Sequence, residues 1–144
     1  RNAGFKQFIL DNNLTGLEQI NIEMSSLDES VNMRLLHETF TKHEDIRAAI
    51  SFNSKVYRFA YYLEAMKMND IRLIGYDLLQ ENINYLKSGY ISCLLAQRPE
   101  KQAYFTVRDM CSKLVLKQQV NKINYMPIDI IMKENIDDYV NFNE

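Results

Sequence analysis

Apolar residues recur along the chain with two spacings, one helical and one strand-like. Phe5, Phe8 and Ile9 fall at i, i+3 and i+4, so Asn2 to Asn12 is predicted as a helix with Gly16 in the turn beyond. Leu17 to Met24 alternates enough to predict a strand. Ser26 and Glu29 form an S-x-x-E capping box, which opens a helix to about His43 with Val31, Leu35 and Phe40 facing inward. Ile46 to Phe52 is the next predicted strand. From Ser54 to Met68, the residues Val56, Phe59, Ala60, Leu63 and Met66 share one helical face. Ile71 to Tyr76 is a short buried strand, Glu81 to Lys87 a short helix ended by Gly89, and Tyr90 to Ala96 another strand. Pro99 suits the first turn of a helix, whose stripe Val107, Met110, Cys111 and Leu114 runs to about Lys117. Pro127 makes Asn124 to Met132 an edge or crossover strand, and Asn135 to Phe142 a terminal helical turn.

Strands alternating with helices, joined by right-handed crossovers, predict an α/β fold: a mostly parallel sheet with helices on both faces. In such sheets ligands bind beyond the carboxyl ends of the strands. Three consecutive predicted strands end alike. AISF is followed by Asn53, LIGY by Asp77 and CLLA by Gln97, so three polar side chains are expected at one rim. Each has an ordinary alternative as a helix cap or turn residue. An amide, a carboxylate and a second amide supply planar donors and acceptors without an activated nucleophile, a set that suits adjacent hydroxyl groups. Phe52 and Tyr76, beside Asn53 and Asp77, offer apolar faces to a sugar ring, although aromatics at a strand end are more often core.

The 144 residues allow one domain with a proper core, and 47% hydrophobic with 25% charged residues is ordinary for a soluble protein. No apolar run approaches the ~20 residues of a membrane helix, so no membrane partner is expected. The net charge is −2, with Lys and Arg scattered, so this chain alone offers no footprint for phosphate backbones. Cys93 in a strand and Cys111 on a helix form no C-x-x-C pair and are expected as two buried thiols. His37 and His43 point to different helix faces and have no acidic partner at metal spacing. G-x-G-x-x-G, G-x-x-x-x-G-K-[ST] and G-x-S-x-G patterns are absent, so neither a cofactor nor an enzymatic activity is expected. Asn13-Leu14-Thr15 matches a glycosylation sequon, a pattern short enough to arise by chance. The sequence starts at Arg1 without an initiator Met or an h-region, and is expected to be a piece of a larger polypeptide.

R-x-x-G-F at Arg1 to Phe5, N-S at Asn53-Ser54, I-G-Y-D at Ile74 to Asp77 and A-Q-R-P-E-K-Q-A-Y at Ala96 to Tyr104 occur in that order. Over almost the whole chain this resembles the type I periplasmic-binding-protein-like domains, and within them the sensor domain of LacI/GalR-family transcriptional regulators. The resemblance implies two α/β lobes that close over a carbohydrate effector, with Arg1, Asn53, Asp77 and Gln97 holding its hydroxyls. It implies a hinge at Arg98, Pro99 and Asp129, with Arg98 held extended by Pro99. Residues 1–97 would then be the C-terminal lobe, lacking its first strand. Residues 98–128 would be a crossover helix and strand of the other lobe, and 129–144 a return segment.

Two departures carry weight. The family pattern has Asn-Asp where this chain has Asn53-Ser54, which removes a carboxylate near the strand end. Ser25 to Leu27 is similar in place to a ligand-touching lip, but a Leu between polar residues gives it no assigned role. The resemblance implies a helix-turn-helix ahead of this chain as the only route to DNA. It also implies an open central sheet edge, to be covered by the Asn124 to Met132 strand or by a second copy. The stripe on the helix after Pro99 is expected to drive self-association, as a homodimer in the cytoplasm. Two alternatives are a periplasmic sugar-binding protein or receptor sensor, and a phosphoacceptor domain with Asp77 as acceptor. The latter needs an acidic cluster, into which Glu23 and Asp28 could be pressed, and a Lys where Gln97 stands.

Overall fold

The computed structural model of the protein describes residues 2–14, 16–25 and 27–143. In chain order these form α1 (Asn2–Asp11), α2 (Glu29–Lys42), β1 (Ala48–Ile50), α3 (Tyr57–Ala65), β2 (Arg72–Tyr76) and α4 (Gln80–Ser88). They continue with β3 (Cys93–Ala96), α5 (Pro99–Leu114), β4 (Asp129–Ile131) and α6 (Ile136–Asn143). The strands form one sheet in the order β1-β2-β3-β4, with the first three parallel and β4 antiparallel to β3. The expected α/β fold, a mostly parallel sheet flanked by helices, is therefore present.

The helix ends follow local chemistry. Asp28 is the N-cap of α2, its carboxylate accepting from the N–H groups of Ser30 (2.9 Å) and Val31 (3.2 Å). Those two donors would otherwise be orphans of the first turn. The cap is thus Asp28 and not the predicted Ser26, which lies outside the described residues. Glu81 in the first turn and Lys87 in the last turn of α4 complement its dipole, and Gly89 closes it at φ 91. That left-handed turn lets the Gly89 N–H donate to Tyr85 O at 3.1 Å.

Along β2 and β3 burial alternates: Leu73, Gly75, Leu94 and Ala96 are buried while their neighbours are not. The buried face packs with Leu36, Phe40, Val56, Phe59, Tyr62, Leu63 and Leu86 from the helices into one core. The inward stripe of α2 is Asn32, Leu36 and Phe40, one position out of phase with the predicted Val31 and Leu35. Asn32 is fully buried, and its polarity hid the stripe from a count of apolar residues.

Three further expectations need correction. Residues 17–24 form no strand; Ile22 and Met24 pack on the core, but no ladder runs beside them. Alternation fixes which side chains face inward, whereas a strand also needs a partner for its N–H and C=O groups. The segment 124–132 contributes only β4, and it lies at the far side of the sheet from β1, so it does not cover that edge. Its register sets Asp129 opposite Ala96, where Arg98 can reach it. Finally, Cys93 is half-buried and Cys111 exposed, so the pair is not two buried thiols. No residue of α5 is buried, and Val107, Met110 and Leu114 are each more than half exposed.

No helix among the described residues is long and apolar enough to cross a membrane.

Candidate functional site

The parallel strands bring their C-terminal ends to one edge of the sheet. Ile50 pairs with Ile74 and Tyr76 with Leu95. Carried past the strand ends, that register sets Asn53 level with Asp77, and Gln97 beside it.

Asp77 and Gln97 meet directly, the Gln97 amide donating from Nε2 to Asp77 Oδ1 at 2.7 Å. Asp77 turns out of β2 in the left-handed region, at φ 67. Its N–H donates to Leu95 O (3.1 Å) and its carbonyl accepts from Asn82 Nδ2 (3.0 Å), so the turn is fixed from both sides. Gln97 is held through its own carbonyl, which accepts from Gln102 Nε2 on α5 at 2.6 Å. Both residues line a cleft of about 580 Å³, with Arg98, Lys101, Tyr104 and Tyr139 among its walls.

Asn53 stands at the same level but does not line that cleft. Its Oδ1 accepts from the Lys55 N–H at 2.8 Å and from Ser51 Oγ at 3.4 Å, a turn of its own loop. Phe52 packs against Phe5 of α1, ring centroids 6.1 Å apart and tilted by 57°. Tyr76 is half-buried in β2 next to Asp77. Arg1 lies outside the described residues.

The three residues expected at the hinge come together. Arg98 grips Asp129 with two bonds, Nε to Oδ2 at 2.5 Å and Nη2 to Oδ1 at 2.7 Å. Tyr139 of α6 donates its hydroxyl to the same Oδ2 at 2.9 Å, and the guanidinium lies 6.0 Å from its ring centroid. Arg98 is not extended, however: it sits at φ 51, ψ 58. Pro99 bars right-handed helix at the preceding residue, and the left-handed alternative aims the guanidinium back at Asp129. The hydrogen bond from Arg98 holds the Asp129 carboxyl below the ordinary carboxylate range, and that bond likewise raises Arg98. Burial, then the bond to Asp129, pushes the Tyr139 phenol up. Arg98 and Asp129 are both charged at neutral pH.

Two buried asparagines at this edge went unnoticed in the sequence. Asn82, fully buried on α4, accepts from the Tyr57 N–H (3.0 Å) and donates toward the carbonyls of Ser54 (2.8 Å), Tyr76 (3.2 Å) and Asp77 (3.0 Å). Asn32 of α2 holds the Ser25 backbone at both its N–H (2.7 Å) and its carbonyl (3.0 Å). Arg58 Nη1 adds a third bond, to the Ser25 carbonyl, at 3.0 Å. The available signal was a polar residue on an inward helical face: Asn82 precedes buried Leu86 by one turn, as Asn32 precedes Leu36.

The cleft therefore offers a carboxylate, an amide, a guanidinium and phenols, groups that orient a hydroxyl-rich molecule by hydrogen bonds. Among the described residues, no group of three His, Cys, Asp or Glu is placed to hold a metal ion.

A profile described as a periplasmic binding protein domain matches residues 1–118. The chain belongs to that family. Several solved structures resemble it in backbone. A candidate LacI transcriptional regulator from Bacteroides fragilis is 42% identical, with a TM-score of 0.72 over 83% of this chain and 39% of that one. GanP, a glucose-galactose binding protein from Geobacillus stearothermophilus, is 23% identical over 85% of this chain and 44% of that one, TM-score 0.72. A solute-binding protein of an ABC transporter from Agrobacterium vitis, bound with α-D-tagatopyranose, gives a TM-score of 0.80 at 19% identity. It covers 96% of this chain and 46% of that one. This periplasmic binding protein domain thus spans less than half the length of these structures. No curated protein matches the chain.

Proposed function

We propose that this chain is the carbohydrate-binding lobe of a LacI-type transcriptional sensor, in which closure over a sugar shifts the equilibrium of an attached DNA-binding domain. The observation that carries the reading is the Asp77–Gln97 pair on the lip of a cleft at the carboxyl ends of parallel strands. In this reading Asp77 accepts from sugar hydroxyls and Gln97 both donates and accepts, Asn53 joins them from the β1–α3 loop beside the cleft, and Arg1 has the role that the family resemblance implies. Phe52 and Tyr76 supply ring faces. Arg98, Pro99 and Asp129 form the hinge at which residues 1–97 give way to a crossover segment, 98–128, and a return segment, 129–144. The protein binds and does not catalyse, works as a homodimer in the cytoplasm and reaches DNA through a separate domain.

The 42% identity to the Bacteroides fragilis protein favours the regulator. The sugar-binding neighbours favour a second reading, a solute-binding protein outside the cytoplasm. In the whole polypeptide, residues ahead of Arg1 distinguish them: a helix-turn-helix for the first, a signal peptide for the second.

Isothermal titration of the whole polypeptide with a panel of monosaccharides tests the site. At least one sugar should bind, and Asp77→Ala should abolish that binding. Undiminished binding by the variant would remove Asp77 from the site, and no binding to any sugar would end the carbohydrate reading.

A further inference from the structure

We propose that Asn82 is the positioning residue of the rim: one buried side chain that sets the loop carrying Asn53 and the loop carrying Asp77 in fixed relation. This rests on the reading of Asp77 and Asn53 as ligand groups, and adds to it the device that holds them.

The β1–α3 loop and the β2–α4 loop are remote in sequence, and each is awkward to hold. The N-cap position of α3 is Val56, whose side chain cannot accept a hydrogen bond, so the first N–H groups of α3 lack a local cap. The second loop must hold Asp77 at φ 67, where an L-residue is disfavoured. Asn82 answers both needs. Its Oδ1 caps α3 from outside by accepting from Tyr57 N–H, while its Nδ2 donates toward Ser54 O in the first loop and Asp77 O in the second. The carboxamide therefore bridges the residue after Asn53 to Asp77 itself.

Only an amide fits this place. A carboxylate would face three carbonyl oxygens, and an apolar side chain would offer nothing to those carbonyls or to the Tyr57 N–H at a position that is fully buried. A generic buried hydrogen bond would stabilise the fold in the same way, so the positioning role needs its own readout. Asn32 supplies the comparison. It is equally buried and also clamps backbone, but the loop it clamps at Ser25 carries no group assigned to the ligand.

The experiment compares Asn82→Ala, Asn82→Ser and Asn32→Ala in the whole polypeptide. The serine variant keeps a short hydroxyl donor and guards against loss of folding in the alanine variant. Amide hydrogen exchange is measured first, without ligand. In the Asn82 variants the Tyr57 amide, which loses its acceptor, and the Asp77 amide, which bonds Leu95 O in a turn that Asn82 holds through the Asp77 carbonyl, should exchange at least about tenfold faster relative to the core strands, while Asn32→Ala should free Ser25 and leave those two unchanged. Unchanged Tyr57 and Asp77 amides would overturn the proposal, whatever the ligand.

Affinity is measured second, for the sugar that binds the parent. The Asn82 variants should bind at least about tenfold more weakly, and Asn32→Ala within about twofold of the parent. Equal weakening by all three variants, or parent affinity in the Asn82 variants, would also overturn the proposal. Failure of the carbohydrate reading is recognised separately, by a parent that binds no sugar while the exchange pattern stands.

Discussion

Gly75 lies in the second strand of the sheet, and replacing it by alanine sets two effects of opposite sign against each other. Glycine in a strand interior costs about 0.5–1 kcal/mol relative to alanine, so on backbone grounds alone Gly75→Ala would stabilise. The structure reverses the sign. A Cβ at position 75 would fall 2.3 Å from Val56 Cγ1, 2.6 Å from Val56 Cβ and 2.8 Å from Val56 Cγ2. Val56 is fully buried and stiff at χ1, and it is the N-cap residue of α3, so it cannot swing aside. Overpacking of this kind costs about 1–3 kcal/mol, and a contact this short belongs at the upper end. The decisive assay is a double-mutant cycle by urea unfolding with Val56→Gly, which removes all three clashing atoms. Alone, Val56→Gly should cost roughly 3 kcal/mol in buried carbon and backbone entropy. The Gly75→Ala/Val56→Gly double variant should be no less stable than Val56→Gly, because the new methyl enters the space the valine left. Costs that add to within about 0.5 kcal/mol would refute the argument, since independent sites add to that degree.

Two further outcomes follow from titration and exposure. The Arg98 bond keeps Asp129 ionised below its ordinary range, so the pair stabilises the fold above about pH 4 and ceases to as pH falls through the lowered value. Asp129→Asn should therefore lower the urea midpoint at pH 7, and its gap from the parent should close as the pH drops from about 4 toward 2; a gap constant over that range would refute the ion-pair account. Burial pushes the Cys93 thiol up, whereas Cys111 is exposed. Iodoacetamide followed by peptide mass analysis should thus find Cys111 alkylated well before Cys93, and the reverse order would contradict the packing of β3.

The alternation of strand and helix was legible because each element carries its own period, and the stop at Gly89 and the start at Pro99 stand where their backbone chemistry requires. Pairing was not legible. Residues 17–24 have the alternation of a strand and none of its ladder, because periodicity reports which side faces the core and says nothing of a neighbour. The Asp77–Gln97 contact was foreseeable from strand ends in register, whereas Arg98 and Asp129 were paired as a hinge only through the family resemblance. Arg98's backbone was not, since Pro99 excludes one conformation without choosing between the other two. Asn82 and Asn32 were invisible for a different reason: the amphipathic count scores an asparagine as outward, whereas a fully bonded amide is at home inside.

Backbone strain locates the cleft independently of side-chain chemistry. Five non-glycine residues among those described have positive φ: Asn13, Lys67, Asp77, Arg98 and Lys117. Asn13, Lys67 and Lys117 follow the ends of α1, α3 and α5, where a left-handed residue closes a helix in the ordinary way. Asp77 and Arg98 close no helix. Each leaves a strand, and both line the same cleft. A left-handed L-residue costs roughly 1–2 kcal/mol, and it persists only where surrounding bonds over-determine it. Asp77 has Leu95, Asn82 and Gln97 to hold it, and Arg98 has the two-pronged bond to Asp129. Helix closure accounts for the other three residues; at Arg98 the following Pro99 excludes right-handed helix, and at Asp77 the three partners hold the turn. Holding Asp77 beside Gln97 on the lip of the cleft is what the turn at Asp77 accomplishes, and the proposed ligand role needs that placement.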